Sequence, residues 1–393
     1  MQKSKLSGLF LLWLGAAISI AEIVTGTLVA PLGVGKGITA IILGHVIGCF
    51  LFLFPAGYLS AKQNQTAIAV TESVFGKWGV TLFSGLNAIQ LLGWTAVMIV
   101  NAQLAMNAIS KKVFNYQSVI VMSVIVAALI VVWLIFDHEW LFKINNIVVI
   151  LLAIGMLIVV WAIINHGASH TSVNLGKMTF GSAVELNVTM ALSWLPLIGD
   201  YTKQNGNSVK ISFVSVVGYF LGSTAMFLIG FFTVIVSGQT DFNAVLAATN
   251  VGMIALLVIV FSTVTTTFMD AYSAATNIDN IIKKGHVNLI GIGVTIVGLV
   301  IALFVSMAYY QNFLYAIGAA FTPLFSILFV SILILHKKLP VWLNFCWWVI
   351  GFFGYTWLQR FDFVLGTTIL LGVILAVAVW LSGLVVGTKK LAS

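Results

Sequence analysis

Apolar residues in this chain neither alternate nor recur every three or four positions; they run on, about 18 to 25 at a time, with polar clusters between the runs. That length matches what a helix needs, at about 1.5 Å per residue, to cross roughly 30 Å of hydrocarbon. Twelve such spans are predicted, approximately 8–33, 37–59, 79–109, 117–136, 143–164, 181–200, 211–237, 250–282, 286–308, 312–335, 340–358 and 361–387. They use nearly the whole chain and leave no room for a separate soluble domain. The pattern therefore predicts one all-α integral membrane domain over residues 1–393.

Composition changes the picture only by exclusion. Hydrophobic residues make up 61% and charged residues 7%, against roughly a quarter charged in soluble globular domains, so a water-soluble fold is ruled out. The net charge of +8 finds its explanation in topology. With a cytoplasmic N-terminus, thirteen of the eighteen Lys and Arg fall on the inner side and only Lys36, Lys111, Lys112, Lys177 and Arg360 outside. This positive-inside bias places both termini in the cytoplasm of a cell-membrane protein, and no nucleic-acid partner is needed. The first span follows Lys3 and Lys5 as a signal-peptide core follows its basic region, but it continues to Pro31 and is expected to remain uncleaved. Cys49 and Cys346 lie far apart in apolar runs and carry no ligand spacing.

Spans 1 and 6 echo one another. Thr25 to Gly33 and Met190 to Gly199 both end in Pro-Leu with a glycine close behind. The topology puts these matching segments on opposite sides of the membrane, as two five-helix units in inverted orientation require. The expected divisions are 8–164, 181–335 and two added helices over 340–387. Gly26 and Gly33 in span 1, and Ser193 to Gly199 with Pro196 in span 6, predict interrupted helices whose freed backbone groups face a cavity or ligand. Residues 238–249 and 62–77 are expected to form short re-entrant segments over the two ends.

Three acids lie at membrane depth: Glu22 in span 1, Asp270 in span 8 and Glu185 nearer the external end of span 6. Such a carboxylate costs at least about 2.5 to 3.5 kcal/mol to insert, so it marks a substrate or ion path by default. No basic residue lies at the depth of Glu22 or Asp270, leaving a proton, a cation or a ligand's donor as the compensation. Ser262, Thr265 and Thr266 share a helical face one turn below Asp270 and offer hard oxygens to a small cation, although such hydroxyls also bond back to their own helix. In span 3, Asn87, Gln90 and Trp94 fall on one face. An amide and an indole together are what a planar heteroaromatic ring needs for hydrogen bonding and stacking, and Trp194 beside the break in span 6 offers a second aromatic face. His45 is expected to bridge helices. The six histidines show no metal-ligand spacing and the chain has no phosphate loop, so a membrane-embedded enzyme is disfavoured.

Gly93-Trp94, Trp194 with Gly199-Asp200-Tyr201-Thr202-Lys203, and Thr265-Thr266 with Asp270-Ala271-Tyr272-Ser273-Ala274 resemble the nucleobase:cation symporter-1 family, which includes cytosine permeases. The compact length and the Glu22 segment look most like its hydroxymethylpyrimidine permease subgroup, linked to thiamin supply. The resemblance implies a LeuT-like five-plus-five inverted repeat with two extra helices, alternating access and no enzymatic activity. It implies Trp94 as stacking platform, Gln90 as its hydrogen-bonding neighbour and Trp194 as the span 6 aromatic. It further implies sodium held by Thr265 and Thr266 with carbonyls near Ser19 and Ile23, and no other cofactor. Cytosine permeases carry asparagine where this chain has Asp270, and no acid at the place of Glu22; a carboxylate in either position suits an aminopyrimidine with a protonatable ring nitrogen. The expected partners are a pyrimidine and the lipid bilayer. Proton-coupled cytosine or purine transport and an amino-acid permease of the same architecture stay open as alternatives.

Overall fold

A computed structural model describes residues 6–135, 177–203, 206–248, 252–283, 285–386 and 389–390. Within them the chain is helical apart from one two-residue antiparallel pairing of Lys337–Lys338 with Lys389–Lys390. Polar side chains such as Asn87, Gln90, Asn101, Thr189 and Ser223 are buried, while Leu51, Leu221, Phe261, Phe353 and Val377 are exposed. This inversion of the soluble pattern is what a lipid-facing surface requires.

Span 1 consists of α1 (Leu6–Ala17) and α2 (Ile20–Thr27). At 1.5 Å per residue these are roughly 18 and 12 Å long, so only the pair crosses the bilayer. The interruption lies at Ile18–Ser19, not at Gly26 or Gly33 as the sequence predicted. Ser19 is extended (φ −144°, ψ 159°) and its hydroxyl caps α2 by accepting from Glu22 N–H at 3.4 Å. Gly26 sits inside α2, and Gly33 (φ 72°) opens the next helix. Span 6 breaks where expected, between α8 (Phe180–Leu192) and α9 (Leu195–Thr202). Pro196 lies in the first turn of α9, where its missing N–H costs no hydrogen bond.

The second span runs through α3 (Gly33–Val46), a π-helical stretch over Ile47–Leu53 and α4 (Phe54–Gln63). The short α5 (Ala67–Val70) leads into α6 (Glu72–Phe114), which kinks at Gly76, and then α7 (Val119–Ile135). The expected fifth span, 143–164, lies outside the described residues. Then follow α10 (Ser208–Ser237), α11 (Phe242–Ala248), α12 (Gly252–Ile282) and α13 (Val287–Phe304). The last are α14 (Tyr310–Phe329) with a π-helical continuation over Val330–Leu335, α15 (Val341–Leu358) and α16 (Gly366–Val385). Eleven of the twelve expected spans are thus accounted for.

Helix α10 lies along both halves of span 1, and glycines make that approach possible. A Cβ added at Gly218 would meet the Phe10 carbonyl oxygen at 2.5 Å, one at Gly222 that of Leu14 at 2.8 Å, and one at Gly230 that of Ile23 at 1.9 Å. From the other side, Gly26 meets the Phe227 carbonyl oxygen at 2.2 Å. Small residues at such crossings let membrane helices pack backbone to backbone. The two short helices found where the re-entrant segments were expected lie against the second halves of the interrupted spans, α5 against α9 and α11 against α2.

A candidate substrate cavity between the interrupted helices

The two breaks enclose a cavity lined by Ala16, Ser19, Ala21 and Glu22 from span 1, Leu91, Trp94 and Met98 from α6, Met190, Ser193, Trp194 and Leu197 from span 6, and Asp270 from α12. It has room for about one water molecule, so a ring enters only as its walls yield. The N-terminal ends of α2 and α9, where unpaired N–H groups give helices a partial positive charge, both reach this wall.

The structure thus brings Glu22, Trp94, Trp194 and Asp270 to one cavity. Trp94 is held edge-on by Phe313 (ring centroids 5.4 Å apart) and Tyr310 (6.1 Å). Trp194 belongs to a cluster with Trp13, 5.5 Å away, and Tyr219, 5.9 Å away. Asp270 is 3% exposed and its Oδ2 has no hydrogen-bond partner; the indole N–H of Trp94 is also buried and unpaired. An acceptor and a donor left open at a cavity wall are what a polar heterocycle would satisfy.

Gln90 takes a different place. Its Nε2 donates to Asn87 Oδ1 at 3.0 Å and to the Ser193 carbonyl at 2.8 Å, fastening α6 to the backbone freed at the span 6 break. Its Oε1 is unpaired. Glu22 points its carboxylate at α10, accepting from Tyr219 at 3.0 Å and Ser223 at 2.6 Å, and Ser223 in turn contacts His45 Nε2 at 2.7 Å. His45 therefore bridges α3 to α10, as expected.

Around the span 1 break, the Ser262 hydroxyl of α12 donates to the Ile18 carbonyl. Thr265 donates to its own helix at the Ser262 carbonyl, 2.8 Å away, and Thr266 is buried. The Ile23 carbonyl, expected to face Thr265 and Thr266, is instead pressed against Gly230 of α10; the span 1 carbonyl that meets α12 is that of Ile18. Ser19 lies beside it in the extended segment.

Glu185 lies apart from the cavity. It accepts from the Tyr355 hydroxyl, from Thr368 N–H at 2.9 Å and from the Thr368 hydroxyl at 2.7 Å, joining span 6 to α15 and the start of α16. Sequence reasoning missed Trp13, Met98, Met190, Tyr219 and Ser223, each an ordinary residue of an apolar helix until its neighbours are known.

A family model described as a permease for cytosine/purines, uracil, thiamine and allantoin matches residues 2–385. No curated protein matches the chain by sequence. Among solved structures, the nucleobase-cation-symport-1 transporter Mhp1 in a closed conformation with bromovinylhydantoin bound superposes with a TM-score of 0.75 at 16% identity, covering 98% of this chain and 93% of that one. Inward-facing Mhp1 gives 0.74 at 16% identity over 95% and 90% of the two chains. A Na+-coupled sialic acid symporter in its substrate-bound outward-open state gives 0.70 at 13% identity over 100% and 92%. With described residues that are predominantly helical, paired interruptions and these neighbours, the fold is that of a LeuT-type multi-pass membrane transporter, and the chain belongs to the family of permeases for cytosine and purines, uracil, thiamine and allantoin.

Proposed function

We propose that this permease imports an aminopyrimidine, hydroxymethylpyrimidine or a close relative, by alternating access through the cell membrane, with both termini in the cytoplasm. Repeats over 8–164 and 181–335 form the moving core, and 340–387 add two helices. The observation that carries the substrate class is the unpaired Oδ2 of Asp270 in the cavity wall. A buried carboxylate without a donor is expensive, and an exocyclic amine or protonated ring nitrogen relieves it with a charge-assisted bond. Trp94 and Trp194 line the same cavity and supply aromatic surface for the ring.

Sodium is the favoured driving ion. The candidate cation ligands are the oxygens beside the break in span 1, at Ile18 and Ser19, with the hydroxyls of Thr265 and Thr266 on α12; the Ser262 hydroxyl, one turn before Thr266, ties α12 to the Ile18 carbonyl, and hard oxygens of this kind suit a small cation. The deciding experiment is uptake of labelled hydroxymethylpyrimidine with and without a sodium gradient, competed by cytosine and uracil. Preferred cytosine uptake would end the aminopyrimidine assignment, and uptake indifferent to sodium would end the ion assignment.

A further inference from the structure

Helix α6 carries a buried amide for which the cavity walls have no use. At about 100° per residue, Leu91, Trp94 and Met98, the three α6 residues of the cavity wall, lie within about 60° of one another. Asn101 belongs to the same stripe, about 20° from Trp94, roughly 10 Å further along the axis and within about one turn of Met98. It is 1% exposed, and among the described residues neither its Nδ2 nor its Oδ1 has a hydrogen-bond partner. Leaving a buried donor and a buried acceptor both unmade costs free energy, so such a group in a native fold calls for a reason. Asn107, further along α6, shows the ordinary case: its Oδ1 accepts from Ser118 N–H at 3.0 Å and ties α6 to the start of α7.

Chain direction tells which end of the bundle Asn101 serves. Helices α2, α6 and α10 run the same way: α10 passes Phe10 of α1 at Gly218 and Ile23 of α2 at Gly230, and the span after α2 runs back before α6 sets out. All three finish on the side where α11 follows α10. Helix α11 packs on both α6 and α2, so it lies across that end of the bundle. Its Asn243 is 6% exposed, and the Oδ1 of that side chain is unpaired as well. Open amide atoms are thus found at this end both on the wall and on the short helix that covers it.

An amide presents a donor and an acceptor side by side, the pair with which an asparagine grips the edge of a flat heterocycle through two parallel hydrogen bonds. Cytosine and aminopyrimidines have such an edge in a ring nitrogen next to an exocyclic amine, and uracil has one in a carbonyl next to a ring N–H. We infer that Asn101 is a second, transient recognition site for the ring, on the path between the end covered by α11 and the cavity at Trp94. It reads a neutral donor and acceptor edge, whereas Asp270 answers an amine or a protonated nitrogen. A ring leaving Asn101 follows one face of an uninterrupted stretch of α6 to reach Trp94. The inference rests on the cavity being the transport site.

The test compares the parent with Asn101→Leu, which keeps the side chain's bulk and removes both hydrogen-bonding atoms, and with Gln103→Leu. Gln103 is likewise buried with an unpaired Nε2, but it lies about half a turn round α6 from Trp94. Labelled cytosine and labelled hydroxymethylpyrimidine are the probes, in uptake by proteoliposomes and in equilibrium binding to the full-length protein in detergent. Asn101→Leu is expected to lower kcat/KM for uptake by roughly 5- to 150-fold, the worth of two hydrogen bonds, while Kd stays within about twofold of the parent and the thermal midpoint does not fall. Gln103→Leu is expected to keep the parent's uptake. A Kd that weakens together with kcat/KM assigns Asn101 to the cavity itself, an unchanged kcat/KM leaves it no ligand, and a lower thermal midpoint or an equal loss in Gln103→Leu makes it a structural joint; each overturns the inference. If the parent takes up cytosine but not hydroxymethylpyrimidine, the aminopyrimidine assignment falls while cytosine still decides the second site, and uptake of neither overturns both.

Discussion

The near-backbone contact between α2 and α10 makes a steric prediction. In Gly230→Ala the added Cβ would lie 1.9 Å from the Ile23 carbonyl oxygen, whereas ordinary contact begins at 3.4 Å. The obstacle is backbone, so no side-chain rotation relieves it, and the difference, 3.4 less 1.9, means that α2 must retreat by about 1.5 Å. Overpacking of this kind costs roughly 1–3 kcal/mol, from which the better helix propensity of alanine recovers at most about 1 kcal/mol. Glu22 is the residue before Ile23, so the same retreat stretches its 2.6 Å bond from Ser223 to about 4 Å, beyond hydrogen-bonding range. The control is Gly293→Ala on α13, where an added Cβ meets nothing within 4 Å. Thermal unfolding in detergent and uptake into proteoliposomes are the assays. Gly230→Ala is expected to unfold at lower temperature and to lose uptake, while Gly293→Ala keeps both. Equal behaviour of the two variants would refute the packing argument.

Asp270→Asn is expected to weaken hydroxymethylpyrimidine binding by roughly 10- to 150-fold, the loss of a charge-assisted bond worth about 1.5–3 kcal/mol, read by equilibrium binding; unchanged affinity removes Asp270 from the site. Thr266→Val is expected to abolish the sodium dependence of uptake, and persistence of that dependence counts against a cation there. Glu185→Gln turns an acceptor of three donated bonds into a group that must point its amide at one of the donors. It is expected to cost about 1–3 kcal/mol of stability, seen as an earlier thermal midpoint, with the parent's substrate affinity; a shifted affinity would place Glu185 in the transport path.

The number and order of spans follow from apolar run length, and the fold from the paired interruptions. Span 6 announces its break through Pro196. Span 1 does not: its break at Ile18–Ser19 contains neither glycine nor proline, and it is marked only by the local Ser19 cap and by the Ser262 bond from a helix 244 residues away. Gly26 misled because a glycine in a membrane helix signals close approach as readily as a break, and here it serves the contact with Phe227. The acids at depth were legible as costly and therefore purposeful. Their partners were not, because Tyr219 and Ser223 lie 197 and 201 residues from Glu22, on a helix whose hydroxyls look like those of any other. Thr265 shows the same limit: hydroxyls at helical spacing satisfy an ion or their own backbone equally well, and only coordinates choose.

The placement of α5 and α11 has a mechanical consequence. Each rests on the second half of an interrupted span, α5 on α9 and α11 on α2, and those two halves also wall the cavity. A displacement of α2 or α9 at the cavity wall is therefore passed directly to the short helix packed on it, so the cavity lining and the segments over the two ends of the bundle are mechanically continuous.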